Sequence, residues 1–103
     1  MAKIRQGMDV TTVSTNSAIQ TKASIYYGCT VVNKTTAGVQ ALVYDAKATA
    51  QGQLIDVVIV TAGTYNNQGS YFANGLICHS GIYLSALVCT TASDSIIVFY
   101  GGV

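Results

Sequence analysis

Ser24-Ile25-Tyr26-Tyr27-Gly28-Cys29-Thr30-Val31-Val32-Asn33 is the stretch whose reading decides the fold class. Ile25, Tyr27, Cys29 and Val31 alternate with Ser24, Tyr26, Gly28 and Thr30. A period of two sends alternate side chains to opposite faces of a strand, so one face is expected to be core. Asn33-Lys34-Thr35-Thr36-Ala37-Gly38 then supplies turn chemistry, and Val39 to Tyr44 resumes as a second strand with Val39, Ala41 and Val43 on one side. The two strands form a hairpin or a pair that crosses between sheets.

The same grammar continues outward in both directions. Asp45 through Gln53 has no apolar stripe to hold a helix and is expected as a loop. Leu54 to Thr61 is nearly continuous in apolar residues, as in a strand covered on both faces or lying at an interface. Ala62 to Gly69 is expected as a turn at a sheet edge, Ser70 to Ala73 as a short strand, and Asn74-Gly75 as a tight turn. Leu76 to His79 follows, Ser80-Gly81 breaks the chain, Ile82 to Cys89 alternates again, and Ser95 to Tyr100 closes the domain. Towards the N-terminus, Val10 to Asn16 is polar and β-prone, which suggests an edge or partner-facing strand. Residues 1–9 carry two bases and no periodicity, so they are expected as an N-terminal arm. The pattern is that of an all-β protein: an antiparallel, jelly-roll-like β-sandwich of seven or eight short strands, a single domain over 10–103.

Composition agrees with strands and limits the function. Val, Ile and Thr occupy 33 of the 103 positions, so β-branched side chains dominate. Half of the residues are hydrophobic and 9% are charged, which excludes a solvated disordered chain and leaves little charge to cover an isolated surface. Much of the outside is therefore expected to face other protein. All five bases precede residue 48, and the rest of the chain carries only Asp56 and Asp94. Such asymmetry suits docking on an acidic neighbour or head-to-tail self-association. Five scattered bases are a poor footprint for nucleic acid, which is not expected as a partner. Asp56 interrupts the best apolar run, Leu54 to Val60, so no membrane span is expected. The opening Met-Ala-Lys-Ile-Arg-Gln-Gly is followed by Met8-Asp9-Val10-Thr11-Thr12 rather than by an apolar run, and synthesis in a cytoplasm without a secretory signal is the expectation. Asn33-Lys34-Thr35, a glycosylation tripeptide in a secreted chain, is then simply a turn.

Residues able to do chemistry are few. There is no Glu, so acid-base work would fall to four Asp or to His79. Asp45 and Asp94 lie in turn contexts, where carboxylates bond nearby backbone amides. Asp56, inside an apolar strand, is expected to be the outward residue of an edge, the alternative being a lysine partner across an interface. Cys78 and His79 are adjacent on a strand and would diverge, and no C-x-x-C pair exists, which argues against zinc. His79 with Ser80 fails as a catalytic pair for the same geometric reason. Cys29, Cys78 and Cys89 each sit in an apolar run and are expected as buried thiols rather than as a disulfide or metal site. No phosphate or dinucleotide motif occurs. No enzyme, cofactor or metal is expected. Seven tyrosines combine apolar rings with hydroxyls that tolerate partial exposure, which suits packing first and interfaces or sugar stacking second.

Several segments in order carry a resemblance. Tyr27-Gly28-Cys29-Thr30-Val31-Val32-Asn33, the run Val39 to Asp45 ending in Leu42-Val43-Tyr44-Asp45, Phe72-Ala73-Asn74-Gly75-Leu76, Ser80-Gly81-Ile82-Tyr83-Leu84 and Ile97-Val98-Phe99-Tyr100 together resemble small virion proteins of tailed bacteriophages and their prophages. The likeness covers about residues 24 to 100 and departs at Val43, where Leu is common, and in the three cysteines. It implies a β-sandwich displayed on the virion, often as a trimer. The expectation that follows is a capsid decoration, or cement, protein assembled in the host cytoplasm, with itself as a homotrimer and the major capsid protein or another virion protein as partners. Lys3 and Arg5 would contact the shell, and Tyr26, Tyr65, Tyr71 and Tyr83 would serve oligomer or surface contacts. The competing expectations are a tail, fibre or baseplate protein touching host glycans, and a free carbohydrate-binding module.

Overall fold

The computed structural model describes residues 2–5, 8–32, 38–49, 51–60, 67–87 and 95–102. They form ten strands and no helix: β1 Ala2–Arg5, β2 Met8–Val13, β3 Ser17–Gln20, β4 Ser24–Val32, β5 Val39–Asp45, β6 Gln53–Val60, β7 Asn67–Gly69, β8 Leu76–Cys78, β9 Ile82–Leu87 and β10 Ser95–Gly102. With no helix among the described residues, none is long and apolar enough to cross a membrane.

All strand pairs are antiparallel and fall into two sheets. One runs β1-β2-β10-β4-β7, with β8 also on β4, and the other runs β3-β9-β5-β6. β7 and β8 pair with opposite halves of β4 and act as one interrupted strand. Between them Ser70 N–H donates to the Cys29 carbonyl at 2.9 Å and Phe72 N–H to that of Tyr27 at 2.8 Å, so the segment expected as a short strand runs beside β4 without regular pairing. With β1 as an addition at the edge, the neighbours are β2 with β10, β3 with β9, β4 with β7–β8 and β5 with β6. Each strand lies beside the one equally far from the other end of the chain, as if one long hairpin had been rolled up. That is the jelly roll, a two-sheet sandwich.

The core lies between the sheets. Val31, Val39, Ala41, Val43, Val58, Val60, Ile82, Leu84, Ile96 and Val98 fill it. β5 buries Val39, Ala41 and Val43, the alternate residues that its periodicity predicts; β9 buries Ile82 and Leu84 as predicted, but Ser85 is also buried and Ala86 is half-buried; β10 buries Ile96, Val98 and Tyr100. The β4–β5 pair crosses between sheets, since β4 belongs to the first and β5 to the second.

β4 departs from its simple alternation. It buries Tyr26 with Cys29 and Val31, while Ile25 and Tyr27 turn outward. The cause is a slipped register: Phe99 pairs with Gly28 and Tyr100 with Tyr26, leaving Tyr27 as an extra residue on β4. One inserted residue inverts the faces on one side of it. Gly28 permits the slip, with φ 138° and no side chain where a Cβ would collide with the Ser70 carbonyl oxygen.

Two expectations at the N-terminus are corrected. Residues 1–9 are not simply an arm, because Ala2–Arg5 form β1 and pair with β2, placing Lys3 opposite Asp9 and Arg5 opposite Met8. Met8 is 1% exposed and belongs to the interior. β2 is not an edge strand, because β1 covers one side of it and β10 the other.

Gly28→Ala is expected to cost more than about 2 kcal/mol, because it adds a backbone collision to an unfavourable φ. Urea unfolding of the variant against the parent measures it; a loss within error of zero would refute the bulge.

Candidate functional site

Tyr26 is the largest wholly buried side chain, and its hydroxyl needs a partner inside the sandwich. It donates to Asp56 Oδ2 at 2.7 Å. The Ser70 hydroxyl donates to the same oxygen and accepts a long bond, 3.5 Å, from the Cys29 N–H. The Phe72 ring lies 6.1 Å from that of Tyr26, tilted by 49°. Tyr26 and Ser70 belong to the first sheet and its flanking segment, Asp56 to β6 of the second, so the cluster clamps the two sheets together at one flank. Asp56 is therefore not the outward residue of an edge strand: its side chain turns inward, and its partners are neutral hydroxyls 30 and 14 residues away. Burial, the neighbouring Cys29 and the Asp56 bond push the Tyr26 hydroxyl far above the usual tyrosine range, so it stays a donor. Among the described residues no buried side-chain nitrogen or oxygen lacks a partner.

A second carboxylate pins a loop. Asp45, the last residue of β5, accepts backbone N–H groups from His79 at 3.0 Å, Ser80 at 2.8 Å and Gly81 at 3.4 Å. Asp45 binds amides as expected, but those of a loop 34 to 36 residues away and not of its own turn. Slight burial opposes ionisation, but the three amides win and hold the carboxyl below its ordinary value. His79 and Ser80 are exposed, and the Asp45 side chain joins their backbones rather than their side chains.

Cys29 and Cys78 are buried free thiols, each pushed up to about 11 chiefly by burial. They are protonated near neutrality and chemically quiet. Among the described residues no group of three or more His, Cys, Asp or Glu comes together. Cys89, Asp94 and Tyr65 lie outside the described residues.

The surface is sorted by charge. Lys22 and Lys47 sit in connections, Lys34 lies outside the described residues, and the strand-borne charges are Lys3, Arg5 and Asp9 on β1 and β2, Asp45 at the end of β5, and the inward Asp56. β3, β4, β7, β8, β9 and β10 carry none. Of the tyrosines expected at contacts, Tyr71 is 60% exposed and Tyr83 half-buried on β9. Tyr26 is corrected, because the bulge buries it completely and Tyr27 takes the outward place. Five large apolar side chains stand exposed: Leu54, Val57 and Ile59 on β6, Tyr71, and Ile77 on β8. β6 and the β7–β8 run are the outermost members of their sheets on the same flank, bridged by Asp56 and Ser70. β1, with Lys3 and Arg5, is the outermost strand at the opposite end of the first sheet. Sequence reasoning left the β6 part of this flank open between a strand covered on both faces and one at an interface, and it missed Ile77, which looks like a core residue. The signal was the nearly continuous apolar run of β6, broken only by Asp56, which fits an interface as well as an interior.

Comparison with protein-family models, with curated proteins and with solved structures yields no match.

Tyr26→Phe removes one of the two hydroxyl donors to Asp56 and is expected to cost about 1–3 kcal/mol in urea unfolding. No change would mean that the clamp is idle. The lowered Asp45 pKa makes a pH statement. Its contribution is fully present above the ordinary value of 3.8 and is lost as pH falls through the lower folded value. Asp45→Ala should therefore destabilise the protein near neutrality, and its difference from the parent should shrink in thermal melts taken at progressively lower pH. A pH-independent difference would contradict the amide-bonding role.

Proposed function

We propose that the chain is a virion structural protein of a tailed bacteriophage, most specifically a capsid decoration protein that sits on the outer shell and strengthens contacts between capsomers. The observation that carries this reading is the segregation of charge. The strands from β3 onward present almost no outward charge, the apolar exposure gathers on one flank, and Lys3 and Arg5 occupy the strand at the other side. A free monomer gains nothing from such a surface, whereas a subunit held on both sides by protein does. The jelly roll is a frequent architecture of viral shells, although it also serves lectins and other proteins, so it supports the reading by analogy alone.

In this reading the protein does its work by adding interfaces. Each copy that binds the assembled shell and not its dissociated parts shifts the equilibrium towards the shell, and many copies act additively. The major capsid protein is the partner of the β1 edge, and further copies of the chain are partners elsewhere. The exposed Tyr71 ring favours a second reading, a tail-surface position with host-glycan contact, since an aromatic face is a platform for sugar rings.

Quantitative mass spectrometry of purified particles tests the proposal. A copy number that matches the capsomers supports the shell, one that matches only a fibre or baseplate supports the tail, and absence from particles overturns both. Charge reversal by Lys3→Glu with Arg5→Glu is expected to lower shell occupancy by at least about tenfold through lost attraction to an acidic partner. Unchanged occupancy would remove the β1 edge from the interface.

A further inference from the structure

β6 is eight residues long, is the last strand of its sheet, and has no partner beyond β5 among the described residues. An edge strand presents a row of backbone N–H and C=O groups that another strand can pair with. Proteins usually block such edges with proline, lysine, a short strand or a bulge. β6 has no proline and no lysine, and its register on β5 is continuous from Asp56 to Val60, the shift falling nearer its start. Its single charge, Asp56, is half-buried, with its carboxylate turned towards the first sheet and engaged by Tyr26 and Ser70. Val57 and Ile59, on the outer face, are 43% and 51% exposed.

These features specify the occupant. Backbone groups in a row call for a strand, and uncharged apolar side chains call for an uncharged apolar strand. β6 is itself such a strand. We propose that β6 is the self-association edge of this protein, pairing antiparallel with β6 of a second copy about a two-fold axis near Val58. In that register Val57 of one copy lies beside Ile59 of the other, and both exposed side chains gain a cross-strand neighbour. The four-stranded sheet becomes an eight-stranded one, four strands from each copy. The β7–β8 edges, with Ile77, are brought to the same side of the contact. Eight residues of strand are about 27 Å long. Across a body 20 Å in its shortest extent, that makes a flank of about 500 Å² in projection, close to what the smaller stable interfaces bury on each partner. The contact is isologous, the same patch meeting itself, and so closes at two copies instead of three.

The proposal deepens the virion reading by naming the surface through which copies meet, and it rests on that reading only for the premise of self-association. It is tested on the purified full chain by sedimentation over a range of concentrations. The expected result is a dimer in the parent. Val57→Lys with Ile59→Lys should weaken it by at least about tenfold, because each dimer must then place four ammonium groups at the contact. Thr12→Lys, on an exposed position of the other sheet, should leave it intact. Circular dichroism and the thermal midpoint check that the variants fold. As a second, independent measurement, Val57→Cys with Ile59→Cys should give a disulfide-linked dimer, each bond formed from two facing thiols as a mild added oxidant takes up two electrons and two protons. A monomeric parent, a trimer, a dimer indifferent to the β6 lysines, or a double-cysteine variant that stays uncrosslinked would each overturn the proposal. Particle occupancy is measured separately, so a failed edge and a failed virion assignment give different results.

Discussion

The slip of one residue at Tyr27-Gly28 is the constraint on which the rest of the molecule depends. Without it Tyr26 would face outward and Tyr27 inward, and the hydroxyl that reaches Asp56 would be on the wrong side of the sheet. With it, a tyrosine enters the core and draws the only carboxylate of β6 in after it. The one charge on β6 is thereby drawn inward and half-buried. A backbone irregularity in the first sheet thus decides the chemistry of the outer rim of the second. The link is a single oxygen, Asp56 Oδ2, that accepts two hydroxyl protons. Two hydroxyl donors replace part of the water that this half-buried carboxylate gives up.

How legible the fold was in the sequence depended on whether each strand kept one phase. β5 does, and so does the first half of β9, so that Val39, Ala41, Val43, Ile82 and Leu84 are core as periodicity predicts. β4 changes phase in its middle, so its alternation gave the strand correctly and half of its faces wrongly. Nothing local announces the slip except Gly28, and a glycine in a strand also has commoner explanations. β1 was missed because its four residues owe their conformation to pairing with β2 rather than to an apolar face. Polar strands held by a neighbour leave no period to read.

The candidate surface was less legible still, for a related reason. Inward and outward apolar residues have the same chemistry, and only the sheet order shows that β6 has, among the described residues, a neighbour on one side alone. Asp56 pointed the wrong way in a local reading because its partners are distant in the chain and close in space. Asp45 was read correctly as an amide acceptor but not in its reach, since that habit is usually short-range and is here carried out on a loop 34 to 36 residues away. Scarcity of charge was the most informative property of the whole sequence, but it showed how much surface wants cover without showing where.

The two buried thiols among the described residues carry a consequence of their own. Cys29 lies on β4 next to the bulge and the Asp56 cluster, and Cys78 at the end of β8 opposite Ser24 and near Asp45. As thiols without solvent access and with little thiolate, they resist alkylation and peroxide while the sandwich is shut. Their reagents must wait for the sandwich to open, so the rate of labelling becomes a clock for its breathing. Cys29 and Cys78 thus keep their covalent state in oxidising surroundings for as long as the sandwich stays shut.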